Sequence, residues 1–160
     1  MNSDKKALLI IAHTPSPNTI AMANEIYAGS TAQDIEFVDV ILCSPFDCTS
    51  EMILSSDALL IFTTENFGYM SGALKDLFDR VYYACLADPK RNDATPFLLI
   101  IKAGLDGTGT DVAVNKITNG LNWKAIRATT IFKGEFEPSF LDRCKELGLT
   151  IAASLDADII

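Results

Sequence analysis

Five short apolar runs, each followed by a polar loop and then by residues at helical spacing, constrain what this chain can fold into more than any other feature. They are ALLIIA (7–12), IEFVDVIL (35–42), ALLIF (58–62), FLLIIKA (97–103) and IRATTIFKG (126–134). Runs that are apolar at consecutive positions suit strands covered on both faces, as in parallel sheets, and none is long enough to cross a membrane. Helical periodicity fills the gaps. Residues 19–28 read as a helix with Gly29 at its C′ position. Leu74, Leu77, Phe78, Val81, Tyr82 and Cys85 fall at i, i+3, i+4, i+7, i+8 and i+11, and Asp76 and Arg80 make an i, i+4 pair on the other side. Residues 110–121 form a further helix. PSFLD opens the last one, with Ser139 and Asp142 at capping-box spacing and Phe140, Cys144, Leu147 and Ile151 on one face. Residues 43–56 read as a loop with a short helix.

Strands alternating with helices through short, right-handed connections give an α/β fold: a doubly wound, five-stranded parallel sheet of order 2-1-3-4-5. The 160 residues make one domain, 1–160, large enough to bury a core without disulfide or metal staples. Sheets of this kind bind ligands beyond the carboxyl ends of their strands where the winding reverses, here between strands one and three. The loops after strands one, three and four are therefore the candidate site.

Charge narrows what that site can hold. The net charge is −8, and no Lys or Arg stands between Lys6 and Lys75, while Glu25, Asp34, Glu36, Asp39, Asp47, Glu51, Asp57 and Glu65 do. That distribution excludes nucleic acid, whose affinity needs clustered cations, and requires a ligand to be gripped by uncharged groups. Cys43, Cys48, Cys85 and Cys144 show no C-x-x-C, and His13 is the only histidine, so no zinc signature is present. The opening stretch MNSDKKALLIIAH has a short apolar run and no small-residue cleavage site. It reads as strand one rather than an export signal, with free thiols in a reducing cytoplasm.

The first loop, AHTPSPNT (12–19), offers the hydroxyls of Thr14, Ser16 and Thr19 and the Asn18 amide at a helix N-terminus, where free backbone N–H groups and the helix dipole favour an anion. An ordinary helix cap would use the same residue types. The second loop, TTENFGYMSG (63–72), carries Phe67, Tyr69 and Met70 for a flat apolar ligand, Thr64 and Asn66 for its polar edge, and Gly68 for an unusual turn. Aromatics folded back into the core would explain it equally. The third loop, AGLDGTGTD (103–111), has Gly104, Gly107 and Gly109, the mark of a chain lying close to something or of a flexible connection. It is not a dinucleotide fingerprint, since the third glycine is missing and the loop follows strand four instead of strand one.

TTENFGYMSGALKDLFDR resembles the flavin-contacting segment of flavodoxin-like proteins and of the NAD(P)H-dependent FMN reductase superfamily. There a Thr or Ser at a strand end leads through a Tyr/Phe-Gly turn into an L-K-x-x-x-D-R helix. HTPSPNT is similar to the phosphate loop of the same group. The resemblance covers nearly the whole chain and implies non-covalent FMN. Its phosphate would sit on Thr14, Ser16, Asn18 and Thr19 with His13 alongside. Its ring would meet Thr64, Glu65, Asn66, Phe67, Gly68 and Tyr69, and a further wall would come from Gly104, Asp106, Gly107 and Gly109. The sequence has Thr64-Glu65 where the family usually places Pro, and it lacks the long aromatic loop of electron-carrier flavodoxins. The reductase side is thus the better match, with NAD(P)H as donor and a quinone or similar small molecule as acceptor. A flavodoxin-like electron carrier serving a protein partner and a non-enzymatic member of the fold stay open, as does a homo-oligomer. Glu65 and its neighbouring carboxylates would resist extra negative charge on a bound flavin and lower its potential. Lys90 and Arg91 form either a solvated turn or a contact for a nicotinamide-nucleotide phosphate.

Overall fold

The computed structural model describes residues 5–160; Met1–Asp4, the start of the N-terminal stretch, lie outside the described residues. In chain order the elements are β1 (Lys6–Ala12), α1 (Pro17–Ser30), β2 (Val38–Cys43), α2 (Ser50–Leu54), β3 (Ala58–Asn66), β4 (Tyr69–Met70), α3 (Gly72–Leu86), α4 (Pro89–Asn92), β5 (Pro96–Ala103), α5 (Thr108–Gly120), β6 (Lys124–Ala125), β7 (Thr130–Lys133) and α6 (Ser139–Asp156). Strands β2, β1, β3 and β5 lie side by side in parallel, in the order expected for the first four strands. No helix among the described residues is long and apolar enough to cross a membrane.

The sheet departs from five strands in two places. The expected last strand, 126–134, is broken: β6 pairs with Pro96 and Phe97, and β7 pairs with Ile100 through Ala103. Between those pairings β5 advances from Phe97 to Ile100 while the edge advances from Ala125 to Thr130, so two surplus residues bulge outward. Thr129 fastens the bulge to α5 by donating to the Asp111 carboxylate at 2.5 Å. The other departure is β4. Thr63–Asn66, expected as loop, extend β3: Thr63 and Thr64 continue the parallel pairing with β5, and Glu65 and Asn66 pair antiparallel with Met70 and Tyr69.

Alternate residues of the central strands serve two cores. Leu9, Ile11, Leu59, Ile61, Leu99 and Ile101 pack under α3 and α5 with Leu77, Phe78, Val81 and Val114. Leu8, Ile10, Leu60, Phe62, Leu98 and Ile100 pack under α1 and α6 with Met22, Ile26, Phe140 and Ile151. Burial on both faces is why these strands read as unbroken apolar runs.

Two readings of helix ends are corrected. Gly29 lies inside α1, not beyond it. A Cβ there would stand 2.0 Å from the Lys145 carbonyl oxygen, and one on Gly148 would stand 2.0 Å from the Ile26 carbonyl oxygen. The two glycines let α1 and α6 touch backbone to backbone, and Ser30 Oγ completes the contact by donating toward Gly148 O at 3.1 Å. The Ser139–Asp142 capping box does not form: Pro138 is the N-cap, and Ser139, already in the first turn, points its hydroxyl at Glu137.

Candidate functional site

The carboxyl ends of β1 and β3 emerge together, with Ala12 beside Phe62, and His13 N donates to Phe62 O at 2.9 Å. Burial holds the half-buried His13 imidazole below its ordinary pKa of 6.5, so it is neutral at pH 7. After His13 the chain turns into α1 through a capping box. Ser16 Oγ accepts from Thr19 N at 3.2 Å, and Thr19 Oγ1 accepts from Ser16 N at 3.0 Å while donating to Ser16 O at 2.9 Å. Thr19 is buried. Pro15 and Pro17 have no N–H to give. The Thr14 hydroxyl and the exposed Asn18 amide carry no side-chain hydrogen bond among the described residues, whereas the Ser16 hydroxyl lies 3.0 Å from Thr19 Oγ1 and can donate to it. No acidic residue stands in the first turn of α1, as in α3 and α4, whereas α2, α5 and α6 carry Glu51, Asp111 and Asp142 there. The positive end of α1 is thus left open to a negative group.

The second segment is a β-hairpin. Glu65 pairs with Met70 and Asn66 with Tyr69, leaving Phe67 and Gly68 as the two-residue tip. Both tip residues have positive φ, 54° and 72°, as a type I′ turn requires. Phe67 is fully exposed, Tyr69 is 42 % exposed, and Met70 is folded back into the core. At the hairpin base the buried hydroxyls of Thr63 and Ser71 meet at 3.1 Å, and Ser71 Oγ caps α3 by accepting from Leu74 N. Thr64 and Asn66 bond to each other at 2.5 Å along the exposed edge.

The third loop is fastened to this hairpin. The Glu65 carboxylate accepts from Leu105 N at 2.7 Å and from Gly107 N at 2.8 Å. Its charge is thereby engaged by two backbone amides, a use that sequence reading did not assign to it. A Cβ on Gly109 would lie 2.0 Å from Gly68 O, and one on Gly107 would lie 2.8 Å from the Ile131 side chain. The close approach that these glycines permit is to the hairpin and to β7. Gly104 faces open space. Asp106 accepts from Thr108 N at 3.0 Å, and that bond, with the Thr108 side chain and then Lys133, holds its carboxyl below the usual range.

All three loops therefore meet on one edge. Thr14, Ser16, Asn18, Thr64, Asn66, Phe67, Tyr69, Gly104 and Asp106 are wholly or partly accessible there; Thr19 and Gly107 are buried. Sequence reading missed a cavity of about 620 Å³ on the α5 side of the hairpin, lined by Gly68, Tyr69, Lys75, Thr108, Val112 and Lys116. Val112 and Lys116 lie one turn apart on a face of α5 that the core does not use, which was the available signal. Arg91 is engaged by Glu51 at 2.8 Å and Asp88 at 2.8 Å, and it braces α2 against α4.

No family model and no curated protein matches the chain in sequence. Solved structures match it in shape. A flavodoxin from the domain Archaea superposes with a TM-score of 0.74 at 19% identity, covering 94% of this chain and 98% of that one. The two-electron reduced flavodoxin of Megasphaera elsdenii gives 0.72 at 22% identity, over 91% and 98%. A flavone reductase gives 0.73 at 16% identity, over 94% of this chain and 62% of that one. These likenesses establish a flavodoxin-like fold.

Proposed function

We propose that this flavodoxin-like chain binds FMN without a covalent link and passes electrons from NAD(P)H to a quinone or similar small acceptor. The observation that carries the reading is Phe67. A type I′ tip is ordinarily Asn-Gly, because a bulky residue in the left-handed region costs about 1–2 kcal/mol. Here a phenylalanine occupies that position with its ring entirely in water. Packing explains neither the conformation nor the exposure, whereas a flat ligand lying on the ring accounts for both.

The donor set beside it suits an uncharged grip on a phosphate. Thr14, Ser16 and Asn18 present donors at the open end of α1, and Thr19 positions Ser16 rather than touching the ligand. Thr64 and Asn66 supply the polar edge of the ring site, Tyr69 a second apolar surface, and the Glu65 clamp keeps hairpin and third loop together. Bound FMN supplies hydride acceptance and onward electron transfer; the chain holds it, orients it and shields it from water. A second reading, an electron carrier for a basic protein partner, draws on the net charge of −8.

The test is titration of the protein with FMN, followed by quenching of flavin fluorescence. FMN should bind with a Kd of about 10 µM or tighter, and riboflavin, lacking the phosphate, about tenfold weaker. Phe67→Asn should weaken FMN by at least about tenfold while leaving thermal stability unchanged or raised. Equal FMN affinity in that variant would remove Phe67 from the site. NADPH oxidation with benzoquinone, without any added protein, supports the reductase; no turnover by FMN-loaded protein would favour the carrier.

A further inference from the structure

Away from the hairpin, on the β2 side of Thr14, lies a cavity of about 280 Å³ lined by Ala12, Thr14, Ile20, Cys43, Ser44 and Asp47 among others. Cys43 is the last residue of β2 and is half-exposed there, while Cys48, five residues on, is fully buried against the same apolar cluster. The turn between them is tightly closed. Cys48 N donates to Ser44 O at 3.1 Å, Ser44 Oγ donates to Asp47 at 2.8 Å, and Arg80 clamps the outside by donating to Cys48 O at 2.9 Å and Pro45 O at 2.7 Å. The Cys48 thiol donates to Thr49 O at 3.8 Å, a weak bond, and Cys43 packs against the apolar cluster to which Cys48 belongs.

We propose that Cys43 and Cys48 are an oxidation site that closes reversibly into an intrachain disulfide, with a hydroperoxide as the oxidant. Cys43, at the cavity, is the attacking thiolate. It displaces an alcohol or water from the peroxide and becomes a sulfenic acid, the peroxide O–O bond being reduced by two electrons. The buried Cys48 thiol then attacks that sulfur, forming the S–S bond and releasing water with its own proton. The sum is two thiols and one hydroperoxide giving one disulfide, one alcohol and one water. Exposure assigns the roles, since Cys43 opens on the cavity and Cys48 is buried behind it. A hydrogen bond with Cys48 draws Cys43 below its ordinary thiol range, against burial and the Asp47 carboxylate, and the same bond with burial pushes Cys48 upward, opposed by Arg80. Cys85, which lies close enough to Cys48 to act on it, and Cys144 are buried and pushed up to about 11 and about 12, chiefly by burial. An access cavity, partial exposure and a second thiol brought back by a closed turn into the same apolar cluster meet only at Cys43 among the four cysteines.

The native chain, free of flavin so that the outcome is independent of the preceding proposal, is treated with stoichiometric hydrogen peroxide, alkylated and digested with trypsin. Because no Lys or Arg lies between Lys6 and Lys75, one tryptic peptide holds both Cys43 and Cys48 and neither other cysteine. It should appear about 2 Da lighter and unalkylated, and revert with a reducing agent. Native alkylation of Cys43 should outrun that of Cys144 by roughly tenfold or more. Cys43→Ser should abolish the bridge, and Cys48→Ser should leave a trappable sulfenic acid on Cys43. A cross-link of Cys48 to Cys85, a Cys43 no more reactive than Cys144, or unbridged oxidation to sulfinic acid in the native sequence would overturn the proposal.

Discussion

Removing the Glu65 carboxylate should loosen the edge of the sheet where the second and third loops are joined. Its two oxygens hold Leu105 N and Gly107 N at 2.7 and 2.8 Å. Charge-assisted hydrogen bonds contribute about 1.5–3 kcal/mol each. Glu65 is only half-buried, so water replaces part of what is lost and about 1–1.5 kcal/mol per bond is the appropriate scale. Glu65→Ala should therefore cost about 2–3 kcal/mol, which lowers Tm by roughly 5–10 °C in a chain of this size. Glu65→Gln retains one accepting oxygen but turns an amide N–H₂ toward the other backbone donor, so about half the loss is expected. Urea unfolding at pH 7 gives the global figure, and native-state amide exchange localises it. Leu105 and Gly107 should lose protection, while β5 amides change only as much as global stability does. An Ala variant within about 0.3 kcal/mol of the parent, with both loop amides still protected, would refute the clamp.

Other perturbations test the frame and the loop. Since burial keeps the His13 pKa below 6.5, the unfolded chain takes up the proton first on acidification. Stability should be complete above that value and fall between it and the lower folded value; His13→Gln should flatten the loss that sets in as the pH drops below 6.5. Glu51 and Asp88, held down by Arg91, and Asp106, held down by Thr108, act below the ordinary carboxylate range and leave that window clear. Gly29→Ala should cost at least about 1–3 kcal/mol in denaturant melts because the new methyl meets backbone, whereas Gly104→Ala, facing open space, should be near neutral. Thr110 is fully buried and its hydroxyl is the one buried side-chain polar atom without a partner among the described residues. Thr110→Val, of the same shape, should leave Tm unchanged or raise stability by about 1 kcal/mol.

The sheet was legible because burial on both faces writes itself into consecutive residues, and α3 because its apolar stripe repeats over three turns. The hairpin was not, since Thr63–Asn66 are polar throughout and lack an apolar alternation, and its tip is Phe-Gly where the recognisable signal is Asn-Gly. Gly29 misled for a different reason. A glycine near a helix end reads alike whether it terminates the helix or admits another one, and the partner, Gly148, lies far along the chain. The break in the last strand has no local mark either, because the two surplus residues are defined only by what β5 pairs with. At the site, the residue types of the first loop were readable, but their division was not. Ser16 and Thr19 looked like equal phosphate donors until the capping box tied Thr19 inward. Glu65 read as a lone carboxylate because the amides it holds are about forty residues away.

The central claim is that a flat, phosphate-bearing heterocycle docks across the tips of β1 and β3. Amide chemical-shift mapping of the labelled protein during an FMN titration tests it most directly. The account predicts saturable shifts in Thr14, Ser16, Asn18 and the Thr64–Tyr69 hairpin, with α6 unmoved. Shifts confined to another surface, or none at about 1 mM FMN, would contradict it.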